Sequence, residues 1–289
     1  MVQYKRIFLG SACNNHCLYC HEKNGSSDPS LSDIAAQMAR KNSLDSVELY
    51  GGEPTLRGDF FKILNAARRD EYRRIKIITN ARAFANINAA VKTVESGCYF
   101  FEIKVHHHEP AIHDHVTQVS GSLHQTMQGI ANLRSIDTRN QEPLSAFIQL
   151  RILISRHNYQ DIANVALHFI PHEIDRITLS FDDSQLEMSQ ALPHIRNAIN
   201  ACILNRVWIN TQRIPLCAMA GLEHHVSEIY HKKPAGNFKK SKHCEQCVYN
   251  AVCPGITASY FDNFGFNKLE PVLESRHAHD IRRLHNEKG

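Results

Sequence analysis

The feature that most limits how this chain can fold is a regular alternation of strand-like and helix-like stretches between Tyr4 and Leu204. Short apolar runs at Tyr4–Leu9, Asp45–Tyr50, Arg74–Asn80, Tyr99–His106, Ala146–Ile154 and Ile174–Phe181 read as strands. Each precedes a stretch with apolar residues at helical spacing: Leu31–Lys41, Phe60–Arg69, Ala83–Ser96, Leu123–Ile136, Ile162–Phe169 and Gln185–Leu204. Such alternation predicts an α/β fold, with helices packed outside a parallel sheet. Pattern alone leaves an open doubly wound sheet and a barrel both standing, and the phase of the polar residues separates them. Parallel strands buried on both faces read as continuous apolar runs. Here Glu102, Lys104 and His106 alternate with Phe101, Ile103 and Val105, and Gln149 and Arg151 alternate with Ile148, Leu150 and Ile152. Thr178, Ser180 and Asp182 alternate likewise with Ile177, Leu179 and Phe181. A polar, charged face on three successive strands predicts a barrel wall around a polar ligand; a half-solvated edge of an open sheet is the alternative.

Chemistry gathers where these strands end. Cys13, Cys17 and Cys20 follow the first strand in a C-x3-C-x2-C loop. Iron–sulfur clusters are held by cysteine thiolates, and three thiolates without a neighbouring fourth leave one iron of a cubane open. A zinc knuckle is the other reading, although structural zinc usually takes four protein ligands. Gly51-Gly52-Glu53-Pro54 directly follows the second strand. Glycines there let the backbone approach a ligand closely, and Glu53 can accept hydrogen bonds from an ammonium. The cysteine spacing, with Tyr19 just before the third cysteine, resembles the signature of the radical S-adenosylmethionine (SAM) enzymes, and residues 51–54 resemble their second motif.

That resemblance implies a partial (β/α)6 barrel, open on one side, with the motifs at the C-terminal mouth of the strands, where barrels of this type place their chemistry. It implies a [4Fe–4S] cluster on Cys13, Cys17 and Cys20, with SAM chelating the open iron through its amino and carboxylate groups. Gly51, Gly52, Glu53 and Pro54 then hold the SAM amino group, and Tyr19 places its backbone near the adenine. Asn80, after Thr79, matches the family's third-strand position. Lys104 stands where relatives often carry a serine for the ribose or carboxylate, a departure from the pattern. Gln149 and Arg151 are expected to face SAM, Arg151 as the partner of its carboxylate because a guanidinium suits a carboxylate; a structural ion pair is the alternative. His106 to Asp114 is expected to form a loop at the mouth.

Composition shifts after Leu204, which predicts a core barrel over 1–205 and a cysteine-rich extension over 206–289. Trp208–Asn210 reads as a short strand. Cys244, Cys247 and Cys253 form C-x2-C-x5-C, and Cys217 upstream makes four thiolates. Spacing alone suits zinc or iron–sulfur equally. The segment resembles the auxiliary-cluster extensions of the SPASM and twitch subfamilies. The next SPASM cysteine falls at Thr257, so the resemblance implies one auxiliary [4Fe–4S] cluster. Cys98 and Cys202 are isolated and read as core residues.

The net charge of +4 includes no long basic run, so neither nucleic acid nor a membrane surface is an expected partner. Lys232, Lys233, Lys239, Lys240 and Lys242 make one basic cluster, which reads as a solvated loop. There is no signal-peptide pattern, and seven of nine cysteines fall into the two clusters. That distribution argues against disulfides and for a cytoplasmic protein. The expected function is reductive cleavage of SAM to a 5′-deoxyadenosyl radical that abstracts hydrogen from a substrate, with flavodoxin or ferredoxin as electron donor. The substrate is a ribosomal peptide or a small molecule. No winged-helix extension is expected ahead of the first strand. A non-catalytic cluster or electron-transfer protein is the rival class.

Overall fold

A computed structural model describes residues 2–20, 27–40, 44–136, 145–181, 186–231 and 236–288. Lys41, Asp182, Gln185, Lys232 and Lys233 lie outside the described residues. The chain divides into two compact units, Val2–Arg151 with His168–Arg176, and Ile152–Leu167 with Ile177–Gly289. This division falls earlier than the composition shift near residue 205.

In the first unit, β1 (Lys5–Phe8), β2 (Ser46–Tyr50), β3 (Arg74–Thr79) and β4 (Cys98–Val105) pair in parallel and in chain order, with Ile7 opposite Leu49, Leu49 opposite Ile77 and Ile77 opposite Phe101. Parallel neighbours need a crossover, which α1 (Leu31–Ala39), α2 (Phe60–Arg69) and α3 (Ile87–Glu95) supply. Ser30 and Asp33 close a capping box at the start of α1, which fixes where that helix begins. Ile34 and Met38 of α1 and Phe60, Ile63, Leu64 and Ala67 of α2 are buried, as are Ile7, Val47, Leu49, Ile75, Ile77 and Ile103 of the sheet. The sheet's seven strands follow chain order, with β5 (Phe147–Ile154), β6 (Arg176–Phe181) and β7 (Trp208–Gln212) after β4.

The stretch expected to be a loop after β4 is instead mostly helical, as α4 (Pro110–Thr117), followed by α5 (Ser122–Ser135). Pro110 opens α4 at its first turn, where proline's fixed φ suits a helix start and its missing N–H costs nothing.

The polar face expected on β4 and β5 is present, and it extends over β1, β2 and β3. Arg6 bonds Glu48 at 2.7 Å, Lys76 bonds both Glu48 and Glu102 at 2.7 Å, and Arg151 bonds Glu102 at 2.5 Å. Gln149 donates to Glu102 at 3.1 Å. Burial works against ionising Glu48, but Lys76 and Arg6 outweigh it and hold the carboxyl down at about 2. Burial opposes ionisation of Glu102 too, and Arg151 and Lys76 hold it below the usual range. Alternating signs from β1 to β5 compensate charges that would be costly alone.

The second unit contains α6 (Ile162–Phe169) up to Leu167, the rest of β6, α7 (Met188–Leu204) and β7, which runs two residues beyond the expected Asn210. Thr178 donates to Asn210, tying β6 to β7. A short antiparallel pair, β8 (Phe238–Lys239) with β9 (Ile256–Thr257), precedes α8 (Ala258–Phe264) and α9 (Ala278–Lys288). Arg196 of α7 donates to the carbonyls of Ala218 and Ala220 at 3.0 Å, which anchors the turn carrying Cys217. No helix among the described residues is long and apolar enough to cross a membrane.

Candidate functional site

Four strand ends of the first unit converge on the three-cysteine loop. Gly52 donates its N–H to the Gly10 carbonyl at 2.8 Å, and Glu53 donates its N–H to Ala12 at 2.7 Å. The segment after β2 is thereby laced to the segment after β1. A Cβ on Gly52 would lie 2.3 Å from the Ala12 oxygen and 2.5 Å from that of Ser11. Gly51 has φ +148°, and a Cβ there would lie 2.3 Å from the Gly10 oxygen. Two glycines are therefore what this approach requires. Pro54, buried, opens the short turn Pro54–Leu56.

Glu53 carries the connection on to β3. Its carboxylate, 2% exposed as a residue, accepts from Thr55 N–H (3.2 Å), the Thr55 hydroxyl (2.6 Å), the Thr79 hydroxyl (2.8 Å) and Asn80 N–H (2.7 Å). A carboxylate offers about four lone-pair positions, so these protein donors fill it. Asn80 in turn donates to the Asn14 side chain at 2.7 Å and brings its amide to 4.0 Å from the Cys13 sulfur. Arg82 donates to the Asn14 carbonyl, to Asn15 Oδ1 at 2.7 Å and to Gln125 of α5 at 2.7 Å. His16 and Leu18 donate backbone hydrogen bonds to Thr117 and Val116 at the end of α4, at 2.9 and 3.0 Å. From the end of β4, His106 brings Nε2 to 3.8 Å from the Cys17 sulfur, with the Tyr19 ring 6.5 Å away. Arg82 and the α4 contacts were not visible in the sequence, because no motif marks a residue that acts by clamping a distant loop.

The donor set suits a metal cluster. Burial raises the Cys17 thiol, Cys13 and Cys20 add to it, and it reaches about 11 although Lys104 pulls the other way. Burial raises Cys13 too, with Glu53 and Cys20 adding to it against the Asn15 N–H and Lys104. Mutually repelling thiolates on one short loop need a cation among them, and metal binding releases their protons. Burial, then His113 and Lys104, push the His106 ring well below its ordinary value, and burial holds His113 down at about 4. Lys104 therefore stands near this loop. Gln149 and Arg151 are both engaged by the buried Glu102.

In the second unit, Cys217, Cys244, Cys247 and Cys253 line one pocket, together with Lys240, His243, Asn250 and Glu270. Burial, then Cys253, Cys247 and Cys244, push the Cys217 thiol up to about 12. Cys253 is raised by burial against backbone hydrogen bonds from Leu216 and Gly255. The buried Tyr249, between these cysteines in sequence, donates to Glu223 at 2.8 Å and bonds Ser275 at 2.7 Å, which pins the loop. Cys98 and Cys202 are fully buried, as expected of core residues.

A parallel α/β sheet that gathers a thiol-rich loop at its strand ends defines the class of protein. More specifically, residues 7–168 match the family model described as the Radical SAM superfamily, over half of the chain, and the chain belongs to that superfamily. Membership implies a [4Fe–4S] cluster and SAM. A probable GTP 3′,8-cyclase of Sulfolobus acidocaldarius is 29% identical over 179 residues, 60% of this chain and 54% of that one. A GTP 3′,8-cyclase of Limosilactobacillus fermentum is 26% identical over 267 residues, 84% of this chain and 74% of that one. The chain thus spans about half the length of the first of these relatives. The crystal structure of Streptococcus suis SuiB bound to the precursor peptide SuiA has a similar fold, with a TM-score of 0.56 at 14% identity over 71% of this chain and 47% of that one.

Proposed function

We propose that the chain cleaves SAM reductively and uses the resulting radical to oxidise a substrate, with Cys13, Cys17 and Cys20 holding the [4Fe–4S] cluster. The observation that carries this is the lacing of the loops after β1, β2 and β3 around those three cysteines. When bound, the cluster supplies the electron that splits SAM into methionine and a 5′-deoxyadenosyl radical, which takes a hydrogen atom from the substrate. The protein's part is positional. The backbone of Gly51, Gly52 and Pro54 offers a close-packed wall for the SAM amino group, and Asn80 borders it. Glu53 acts by fixing that wall, since its own acceptors are filled by Thr55, Thr79 and Asn80. Tyr19, within the loop, offers its backbone to the adenine. Lys104 supplies positive charge for the SAM carboxylate, while Arg151 pairs with Glu102.

Residues 206–289 form the auxiliary extension in this reading. Cys217, Cys244, Cys247 and Cys253 would hold a second [4Fe–4S] cluster with no iron left open. Such a cluster would accept one electron from the substrate radical left by hydrogen abstraction, whose proton would leave to solvent. A reducing cytoplasm keeps seven ligand thiols available, and flavodoxin or ferredoxin there would supply the first electron. A ribosomal peptide is the substrate class the cysteine-rich extension suggests. The relatives named GTP 3′,8-cyclase favour the second reading, a small molecule.

Metal analysis of anaerobically reconstituted protein tests the two-site account. About eight irons per chain are expected, falling to about four when Cys244, Cys247 and Cys253 become alanine together. One zinc with about four irons would replace the second cluster by a zinc site.

A further inference from the structure

His106 sits at the end of β4 with its ring edge towards the cysteine loop. It is 4% exposed, and its Nε2 lies 3.8 Å from the Cys17 sulfur. The ring is fixed on two sides, by Tyr19 at 6.5 Å and by His113 at 5.4 Å between centroids. Its backbone N–H donates to His113 Nδ1 at 3.4 Å, which adds a main-chain restraint. A thiolate sulfur has only lone pairs to offer. An imidazole nitrogen held against it is favourable only as an N–H donor, which selects the Nε2–H tautomer of His106. The geometry directs that N–H at Cys17. Cys13 has its own donors, Asn15 N–H at 3.4 Å and the Asn80 amide at 4.0 Å. Cys13 and Cys17 thus each face a hydrogen-bond donor.

We propose that His106 is a positioning residue of the cysteine-loop cluster, donating Nε2–H to the Cys17 thiolate and making the cluster easier to reduce. The proposal rests on Cys13, Cys17 and Cys20 being the ligands. Hydrogen bonds to ligand sulfurs are among the factors that set cluster potentials, because the reduced cluster carries more negative charge and gains more from the donor. A charge-assisted bond of this kind, differing between the two states by ~1.4 kcal/mol, changes the reduction equilibrium about tenfold, or ~59 mV for one electron.

The test is a redox titration followed by electron paramagnetic resonance, in full-length protein carrying Cys244, Cys247 and Cys253→Ala so that one cluster remains. His106→Phe keeps the ring shape without the donor, and its midpoint should fall by about that amount with the iron content unchanged. His106→Gln, which places an amide N–H near the same point, should recover most of the loss. Pulsed resonance of ¹⁵N-histidine-labelled parent protein should show a nitrogen coupling to the reduced cluster that His106→Gln abolishes; this needs only a variant that retains a donor, in case the phenylalanine hinders assembly. An unchanged midpoint in His106→Phe, or no histidine coupling in the parent, overturns the role of His106 while leaving the ligand assignment intact. A parent protein that binds no iron at this loop overturns the ligand assignment and the proposal with it.

Discussion

Replacing Glu53 by alanine removes the acceptor of four donors at once: the N–H and hydroxyl of Thr55, the Thr79 hydroxyl and the Asn80 N–H. Thr79 and Asn80 are buried, at 2% and 7% exposed, so their donors have no ready route to water. Each orphaned buried donor costs ~1–3 kcal/mol, so the two together cost ~2–6 kcal/mol. At ~2–4 °C per kcal/mol for a chain of this order of size, Tm should drop by roughly 4–24 °C. Circular dichroism of the metal-free variant during heating reads this directly. Glu53→Gln keeps one acceptor oxygen and should lose about half as much. Asn80 also bonds Asn14, so its displacement loosens the cysteine loop, and SAM affinity should fall together with stability. The reasoning is refuted if Glu53→Ala leaves Tm within ~1 °C of the parent while SAM binding weakens by more than ~tenfold. That result would make Glu53 a direct SAM ligand rather than a strut.

Three further outcomes follow from the same geometry. Gly52→Ala puts a Cβ 2.3 Å from the Ala12 oxygen, so the loops after β1 and β2 must part, and iron loading on reconstitution should fall by at least about half; full loading would contradict the close approach. Lys76→Met leaves Glu48 and Glu102 without the cation they share and should cost ~3–5 kcal/mol in urea unfolding, so a loss under ~1 kcal/mol would mean the ladder does not couple. Glu48 is held at about 2, below an unfolded value of about 4.3, so its contribution is complete above the unfolded value and is lost as pH falls through about 2. The stability gap between parent and Glu48→Gln should therefore close as pH drops from 6 towards 2, and a constant gap would remove the linkage.

Local features were legible in the sequence and distant pairings were not. The strand–helix alternation, the cysteine loop and Gly51 to Pro54 are encoded in short stretches, and β1 to β6 and the helices between them other than α4 lie where periodicity puts them to within a few residues. The Pro110 to Thr117 stretch, rich in histidine, gives a weak helical period, and its identity as α4 depends on a proline start and on its contacts with the cysteine loop. Alternation on β4 and β5 suggested a polar ligand, yet the structure engages Glu102 with Lys76, Arg151 and Gln149, partners up to 49 residues away in sequence, as from Glu102 to Arg151. Nothing in a strand's own residues says whether its charge meets a ligand or another strand. Cys217 is the exception among distant pairings: residue type alone groups it with Cys244, Cys247 and Cys253, and Arg196 anchors its turn to α7.

The central claim is that the cysteine loop supports SAM cleavage, and product formation tests it most directly. Anaerobically reconstituted protein, reduced with dithionite and supplied with SAM, should release 5′-deoxyadenosine and methionine in equal amounts, measured by mass spectrometry. The variant with Cys13, Cys17 and Cys20 all changed to alanine should release neither. Fully iron-loaded parent protein that forms no 5′-deoxyadenosine, or a triple variant that still forms it, would contradict the account.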